Sequence, residues 1–186
     1  MNRSTVLTIR YGIGSTPVGP VLVASTEKGL CSLKLAPRNI ALAELRRWFP
    51  RAELIRDDRS AAPLLKKLRG LMNGEDAGGL GIPLDLRGTA FQQRVWQELG
   101  RIPAGTTCSY SELARRVGRP RAVRAVANAC ACNPIAILVP CHRVLRSDGS
   151  LGGYRWGPGI KRQLLQHEGS SFRANSLKPT GRSPWA

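Results

Sequence analysis

At 186 residues the chain can form one large or two small domains with real cores, and a hydrophobic content of 42% is ordinary for a globular protein. No apolar run approaches the roughly 20 residues needed to span a bilayer, and the first five residues lack the layout of a signal peptide. Lys and Arg number 29 against 12 Asp and Glu, and the resulting +17 favours a polyanionic partner, nucleic acid first. The cysteines, Cys31, Cys108, Cys130, Cys132 and Cys141, are odd in number and form no disulfide framework, so a reducing, cytoplasmic setting is expected.

Residues 6–11, 19–25 and 29–35 read as three short strands, separated by turn material at 12–17 and 27–29, with the last two strands forming a hairpin. Residues 41–49 and 63–72 read as helices, with Leu42, Leu45 and Phe49 on one stripe and Leu64, Leu68 and Leu71 on another. Polar, glycine-rich residues 73–81 suggest a linker, so residues 1–80 are expected to form an α/β scaffold domain. Residues 82–86 are extended. Thr89 and Gln92 form a capping box for a helix that stops at Gly100 and buries Phe91, Val95 and Leu99. Ser109 and Glu112 form a second one, opening a short helix that ends near Gly118 and places Tyr110 in its first turn.

A third helix is expected over residues 121–132, with Val123, Val126, Ala127 and Cys130 on one side and Arg121, Arg124, Ala125, Asn128 and Cys132 on the other. Helix, glycine turn and second helix have helix-turn-helix length, and arginines among alanines allow close approach to a DNA groove. An ordinary surface helix is the alternative; the charge favours DNA. Asn133-Pro134 ends this helix and leads into the apolar run 135–139, which reads as a buried strand. Pro140 stops the ladder, leaving Cys141 and His142 at the strand mouth beneath a glycine-rich return at 148–153. A thiol beside an imidazole in that position suggests a nucleophile, although a small core cysteine fits the pair alone. Residues 160–168 read as a helix whose apolar stripe, Ile160, Leu164 and Leu165, ends in Glu168. A carboxylate there is disfavoured by desolvation and by the helix dipole, so it needs a partner, and His142 is the obvious one. Residues 170–186 are expected to be a disordered basic tail. Cys130, Cys132, Cys141 and His142 could hold zinc, but the spacing is poor and the chain has only two histidines, so no metal is expected.

The stretch from about residue 85 to 168 resembles O6-alkylguanine-DNA alkyltransferases of the bacterial type. The resemblance rests on Pro140-Cys141-His142-Arg143-Val144, Ser109-Tyr110, Arg124-Ala125-Val126, Asn133-Pro134 and the run from Asp148 through Tyr154-Arg155-Trp156-Gly157. It implies a ribonuclease-H-like N-terminal domain and a mainly α C-terminal domain, residues 81–169, with a helix-turn-helix and a short active-site strand or loop. Cys141 would accept the alkyl group of O6-alkylguanine, and of O4-alkylthymine, in double-stranded DNA, once per molecule and without a cofactor. His142 would act as base through a water, Glu168 would orient it, and Tyr110 would protonate the leaving base. Arg124 would replace the flipped nucleotide from the minor-groove side, supported by Arg121 and Asn128, and Asn133 would brace the turn. Backbone at Cys141, Val144 and Arg155 would read the base, and Gly152, Gly153 and Tyr154 would wall the pocket. Some members bind zinc in the N-terminal domain; here that region has Cys31 and no histidine, so none is expected. The chain starts too late to hold the regulatory zinc-thiolate domain of the adaptive-response proteins, so direct repair by a monomer is expected, with cooperative assembly on DNA left open. Two rivals remain: a lesion-binding protein without transfer, and a cysteine hydrolase using Cys141, His142 and Glu168.

Overall fold

In the computed structural model, which describes residues 6–72 and 81–172, strands β1 (Thr8–Thr16), β2 (Gly19–Thr26) and β3 (Gly29–Lys34) form an antiparallel meander. Helix α1 (Arg38–Trp48) then carries the chain across to β4 (Glu53–Arg56), which pairs parallel to β1 and gives the order β3-β2-β1-β4. A parallel partner needs such a crossover. Strand β4 was not legible: its four residues carry only Leu54 and Ile55 as apolar signal.

The expected turn at 12–17 is instead strand. Gly12 and Gly14 lie within β1 because α2 (Asp58–Met72) packs directly over them. A Cβ on Gly12 would lie 2.2 Å from Ala61 Cβ, and one on Gly14 would lie 2.9 Å from Leu65 Cδ1. Such glycines mark close approach rather than a bend. The real turn is the two residues between Thr16 and Gly19. Helix α2 begins at Asp58, before the expected Pro63, because the Asp57 carboxylate accepts the Ser60 backbone N–H at 3.0 Å and its hydroxyl at 2.7 Å. Its buried stripe is Ala61, Leu65, Leu68 and Met72, so Leu64 and Leu71 sit one position off the face expected for them. The α1 stripe is as expected, with Leu42, Leu45 and Phe49 all buried.

The chain divides into units Met1–Leu86 and Arg87–Ala186, six residues beyond the expected boundary. The extended stretch at 82–86 belongs to the first unit: Leu30 donates its N–H to the Pro83 carbonyl at 2.8 Å and accepts from the Asp85 N–H at 2.8 Å. Of the expected linker at 73–81, residues 73–80 lie outside the described residues.

In the second unit α3 (Ala90–Gly100) starts at the Thr89 capping box, with both reciprocal hydrogen bonds formed. It buries Val95, Leu99 and also Trp96, whose indole N–H donates to the Ala129 carbonyl at 2.9 Å; Phe91 is only half-buried. Helix α4 (Tyr110–Arg116) is capped by Ser109 accepting from the Glu112 N–H, but the Glu112 side chain pairs with Arg116, so this cap is not reciprocal. A turn with Gly118 at φ +71° leads to α5 (Val123–Ala131), which buries Val126, Ala129 and Cys130.

The apolar run 135–139 is buried, but it is a coiled turn and not the expected strand. Ile137 takes φ +67°, and the Val139 N–H returns to the Ile135 carbonyl at 3.2 Å. Asn133 supplies what a ladder would have supplied, accepting the Ile135 N–H at 2.9 Å and donating to the Val139 carbonyl at 2.6 Å. The two-stranded sheet of this unit follows the cysteine: β5 (Cys108–Ser109) runs parallel to β6 (Val144–Leu145). Helix α6 (Pro158–His167) then closes the unit. Residues 170–172 are not loose as expected: the Ser170 N–H caps the Leu165 carbonyl at 2.9 Å, and Phe172 packs on Leu145, Leu151 and Leu165. The remainder of the expected tail lies outside the described residues.

Replacing Gly12 by Ala should lower stability by ~1–3 kcal/mol through overpacking against Ala61. Urea denaturation should show the loss, and adding Ala61→Gly should recover part of it.

Candidate active site

Cys141 opens a 3₁₀ turn, Cys141–Arg143, with its N–H bonded to the Val139 carbonyl at 2.8 Å. The side chain is buried, and the fully buried Asn133 amide donates to Sγ at 3.2 Å as well as to Val139. Burial pushes the thiol above its ordinary range, and the Asn133 hydrogen bond and the charge of Lys161 pull only part of the way back. The resting sulfur is therefore a thiol. The turn is tight helix rather than the extended chain expected, so Cys141 and His142 diverge because successive residues of a 3₁₀ turn are rotated by about 120°.

His142 is fully buried, and its Nε2 lies 2.9 Å from Glu168 Oε1. Glu168 is the C-cap of α6, as the apolar stripe leading into it suggested. Burial would raise the Glu168 carboxyl, but hydrogen bonds from His142 and Arg143 outweigh it and bring it down to about 2. Arg143, for which no role was read from the sequence, grips both carboxylate oxygens, Nε to Oε2 at 2.9 Å and Nη2 to Oε1 at 2.7 Å, and also bonds the Ile102 carbonyl. An ionised carboxylate only accepts. His142 Nε2 must then carry the proton, which leaves Nδ1 as the basic nitrogen. Burial lowers the His142 pKa despite Glu168, so the imidazole is neutral at neutral pH.

In front of the sulfur is a cavity of about 500 Å³. One wall is the α5 stripe Arg124, Ala127, Asn128 and Ala131, at helical spacing, with Val123 and Cys130 beside it. Tyr110, the first residue of α4, and the segment Gly153-Tyr154-Arg155 form the rest, with Arg146. Arg155 Nη1 donates to the Ala131 carbonyl at 3.1 Å and ties that segment to the end of α5. Tyr154 stacks edge-on against Trp156 at 5.2 Å. Gly152, at φ +63°, sits behind Tyr110: a Cβ there would lie 3.5 Å from the ring. Burial raises the Tyr110 phenol above its ordinary range, so it holds its proton.

The cavity thus collects Tyr110, Arg124, Asn128, Cys141, Gly153, Tyr154 and Arg155 of the expected site residues. Asn133, His142 and Glu168 join them through the sulfur and the turn that bears it, not through the cavity wall. Val144 is buried in β6, and Arg121 is exposed just ahead of α5; neither lines the cavity. The sequence reading missed Ala127, Ala131, Cys130, Arg146 and Lys161. Recurrence at 124, 127, 128 and 131 was a usable signal for the first two. Lys161 broke the apolar stripe of α6 one turn before Leu165 and could have been noticed for that. A second cavity of about 510 Å³ in the first unit has polar groups already engaged with one another: Arg10 pairs with Asp57 at 3.3 Å, and Asp57 accepts from Ser60.

A buried cysteine on a cavity lined by arginines and, among the described residues, no acid, followed in the chain by an imidazole paired with a carboxylate, defines a protein with one thiol at a cationic site. Comparison with known proteins specifies which. Residues 9–86 match the ribonuclease-like domain of 6-O-methylguanine DNA methyltransferase, and residues 90–170 match its DNA-binding domain. The methylated-DNA–protein-cysteine methyltransferase of Methanosarcina barkeri is 39% identical over 163 residues, covering 88% of this chain and 99% of that protein. The Escherichia coli K12 bifunctional transcriptional activator/DNA repair enzyme Ada is 47% identical over 87% of this chain but only 46% of its own length, so the chain spans about half of that relative. The crystal structure of Mycobacterium tuberculosis OGT in complex with DNA matches with a TM-score of 0.70 and 39% identity, over 89% of this chain and 96% of that one. The chain belongs to the 6-O-methylguanine DNA methyltransferase family.

Acid should destabilise this site in two windows. Neutral burial of His142 is lost as pH falls below about 6.5, where the unfolded histidine gains a proton. The Glu168 contribution is present above its unfolded pKa of about 4.3 and is lost as pH falls toward about 2. Glu168→Gln should cost on the order of 2–4 kcal/mol, because it strands Arg143 and His142. It should also remove the lower window from a plot of urea midpoint against pH.

Proposed function

We propose that this protein repairs DNA directly, taking the alkyl group of O6-alkylguanine, and of O4-alkylthymine, onto its own Cys141 in a single turnover. The observation that carries the reading is the Cys141 sulfur on the wall of the cationic cavity, donated to by Asn133 and followed in the chain by the His142–Glu168 pair. Its nearest support outside the geometry is the relation to methylated-DNA–protein-cysteine methyltransferases.

The target atom is out of reach in a duplex, so the nucleotide leaves the stack, which costs a few kcal/mol. Helix α5 enters the minor groove as the second helix of a helix-turn-helix, and Arg124 fills the gap, with Arg121 and Asn128 holding the flanking backbone. Alanines at 125 and 127 let the helix approach closely. Minor-groove reading is nearly blind to sequence, which suits repair at any locus. The extruded base enters between Tyr110 and Tyr154, with backbone at Cys141, Val144 and Arg155 reading its edges.

The Cys141 proton passes through a water to His142 Nδ1, the nitrogen that the Glu168 bond leaves basic. The thiolate attacks the alkyl carbon, a carbon–sulfur bond forms, and the carbon–oxygen bond breaks. The electron pair stays on the guanine oxygen, and the ring takes a proton from Tyr110, whose burial keeps the phenol protonated until so basic an acceptor arises. The product is a thioether that thiol exchange does not reverse, so each molecule acts once. The residues act without a cofactor, as a monomer, in the reducing cytoplasm that a thiol nucleophile requires.

Intact mass after mixing with an oligonucleotide bearing one O6-methylguanine should show one added methyl, located on Cys141, and no more than one lesion repaired per molecule. Multiple turnovers would point to a hydrolase, and binding without transfer to a lesion-recognition protein. Cys141→Ala should bind with unchanged affinity and transfer nothing.

Arg124→Ala should slow transfer at least about tenfold on duplex and little on single strand, where no base needs to leave a stack. Equal slowing on both would remove the intercalating role. Affinity for duplex should fall steeply with added salt.

A further inference from the structure

Helix α6 carries a lysine where its periodicity calls for an apolar residue. Lys161 shares the buried stripe with Leu164 and Leu165, and none of its surface is exposed. Its ammonium donates to the Val144 carbonyl at 2.6 Å and to the Leu151 carbonyl, and it stands 5.9 Å from the centre of the Tyr110 ring. Among the described residues no carboxylate lies within ion-pair distance of it. An ammonium removed from water without an anion is expensive, and two carbonyl dipoles and a ring face only lessen the cost.

We propose that Lys161 is the counter-charge of the Cys141 thiolate, a positioning residue for the transfer reaction on whose assignment this inference rests. The groups that feel its charge are Cys141, Cys130 on α5, His142 and Arg146, with the Tyr110 ring against it. Of these Cys141 becomes the attacking anion, and Tyr110 turns anionic only once it has given its proton to the departing base. When the Cys141 proton moves to His142, the buried ammonium acquires a partner in the same event that gives the sulfur its charge. When the alkyl group arrives, the sulfur becomes a neutral thioether and the negative charge passes to the Tyr110 phenolate, against whose ring the ammonium stands. The two carbonyls also matter to placement: Val144 follows the Cys141–Arg143 turn, and Leu151 precedes the Gly152–Arg155 wall, so one ammonium draws nucleophile and wall together.

Burial lowers Lys161 to about 8, so it is charged at neutral pH and loses that charge as pH rises through about 8. Lys161→Met keeps the stem and removes the charge. In single-turnover methyl transfer from an O6-methylguanine duplex it should be slower at pH 7 by about tenfold or more, one pK unit of thiolate stability. The gap should narrow above pH 8, where the wild-type lysine discharges. Lys161→Arg should restore the wild-type rate at pH 7 and hold it above pH 8, because a guanidinium stays charged there, and duplex affinity should be the same in all three. An unchanged Lys161→Met rate, or a loss of equal size at every pH, would overturn the proposal.

A second measurement needs no change at position 161. In full-length protein labelled at the lysine ε-carbon, Lys161 should titrate at higher pH in Cys141→Asp than in wild type, because a standing anion then occupies the place where the resting thiol is neutral. Identical titrations would overturn the proposal even if Lys161→Met failed to fold. A wild type that transfers no methyl would refute the repair assignment, and the lysine titration would still decide this point.

Discussion

Removing a sulfur from water is the constraint around which the second unit is arranged. A buried thiol holds its proton, yet only the thiolate is a good nucleophile. Every polar group that reaches Cys141 bears on this conflict. Asn133 donates to the sulfur, the charge of Lys161 favours its ionised form, and His142 presents a basic nitrogen because Glu168 occupies the other one.

The same polar groups hold the backbone. Asn133 closes the turn at 135–139 with the amide that also touches the sulfur. Arg143 joins the carboxylate of α6 to the carbonyl of Ile102 just beyond α3, and Lys161 joins β6 to the loop at Leu151. Asn133, Arg143 and Lys161 therefore tie the backbone around the site together, so a substitution that removes one loosens the frame as well. The first unit has its own close-packed logic, with two glycines of β1 giving α2 room to lie against the sheet.

Fold class, the capped start of α3, the helix bearing Arg124 and the pairing of Glu168 with His142 were legible in residue order alone. They depend on local rules: periodicity, caps, and the cost of a carboxylate on an apolar stripe, none of which needs distant residues. What was misread depended on contacts across the chain. Gly12 and Gly14 look like a turn until α2 is laid over them, and the apolar run 135–139 looks like a strand until Asn133 satisfies its backbone. Strand β4 exists because β1 offers an edge, and α2 starts early because Asp57 caps it.

By itself, then, the sequence determined which residues are chemically able to act: one thiol followed by an imidazole, a carboxylate needing a partner, and a helix of arginines among alanines. Only the tertiary structure decided how their charges and tautomers are set. The partners of Arg143 and Lys161 could not be read from residue order, even where the break in the α6 stripe marked Lys161, because electrostatic influence follows distance in space and burial, and residue order records neither.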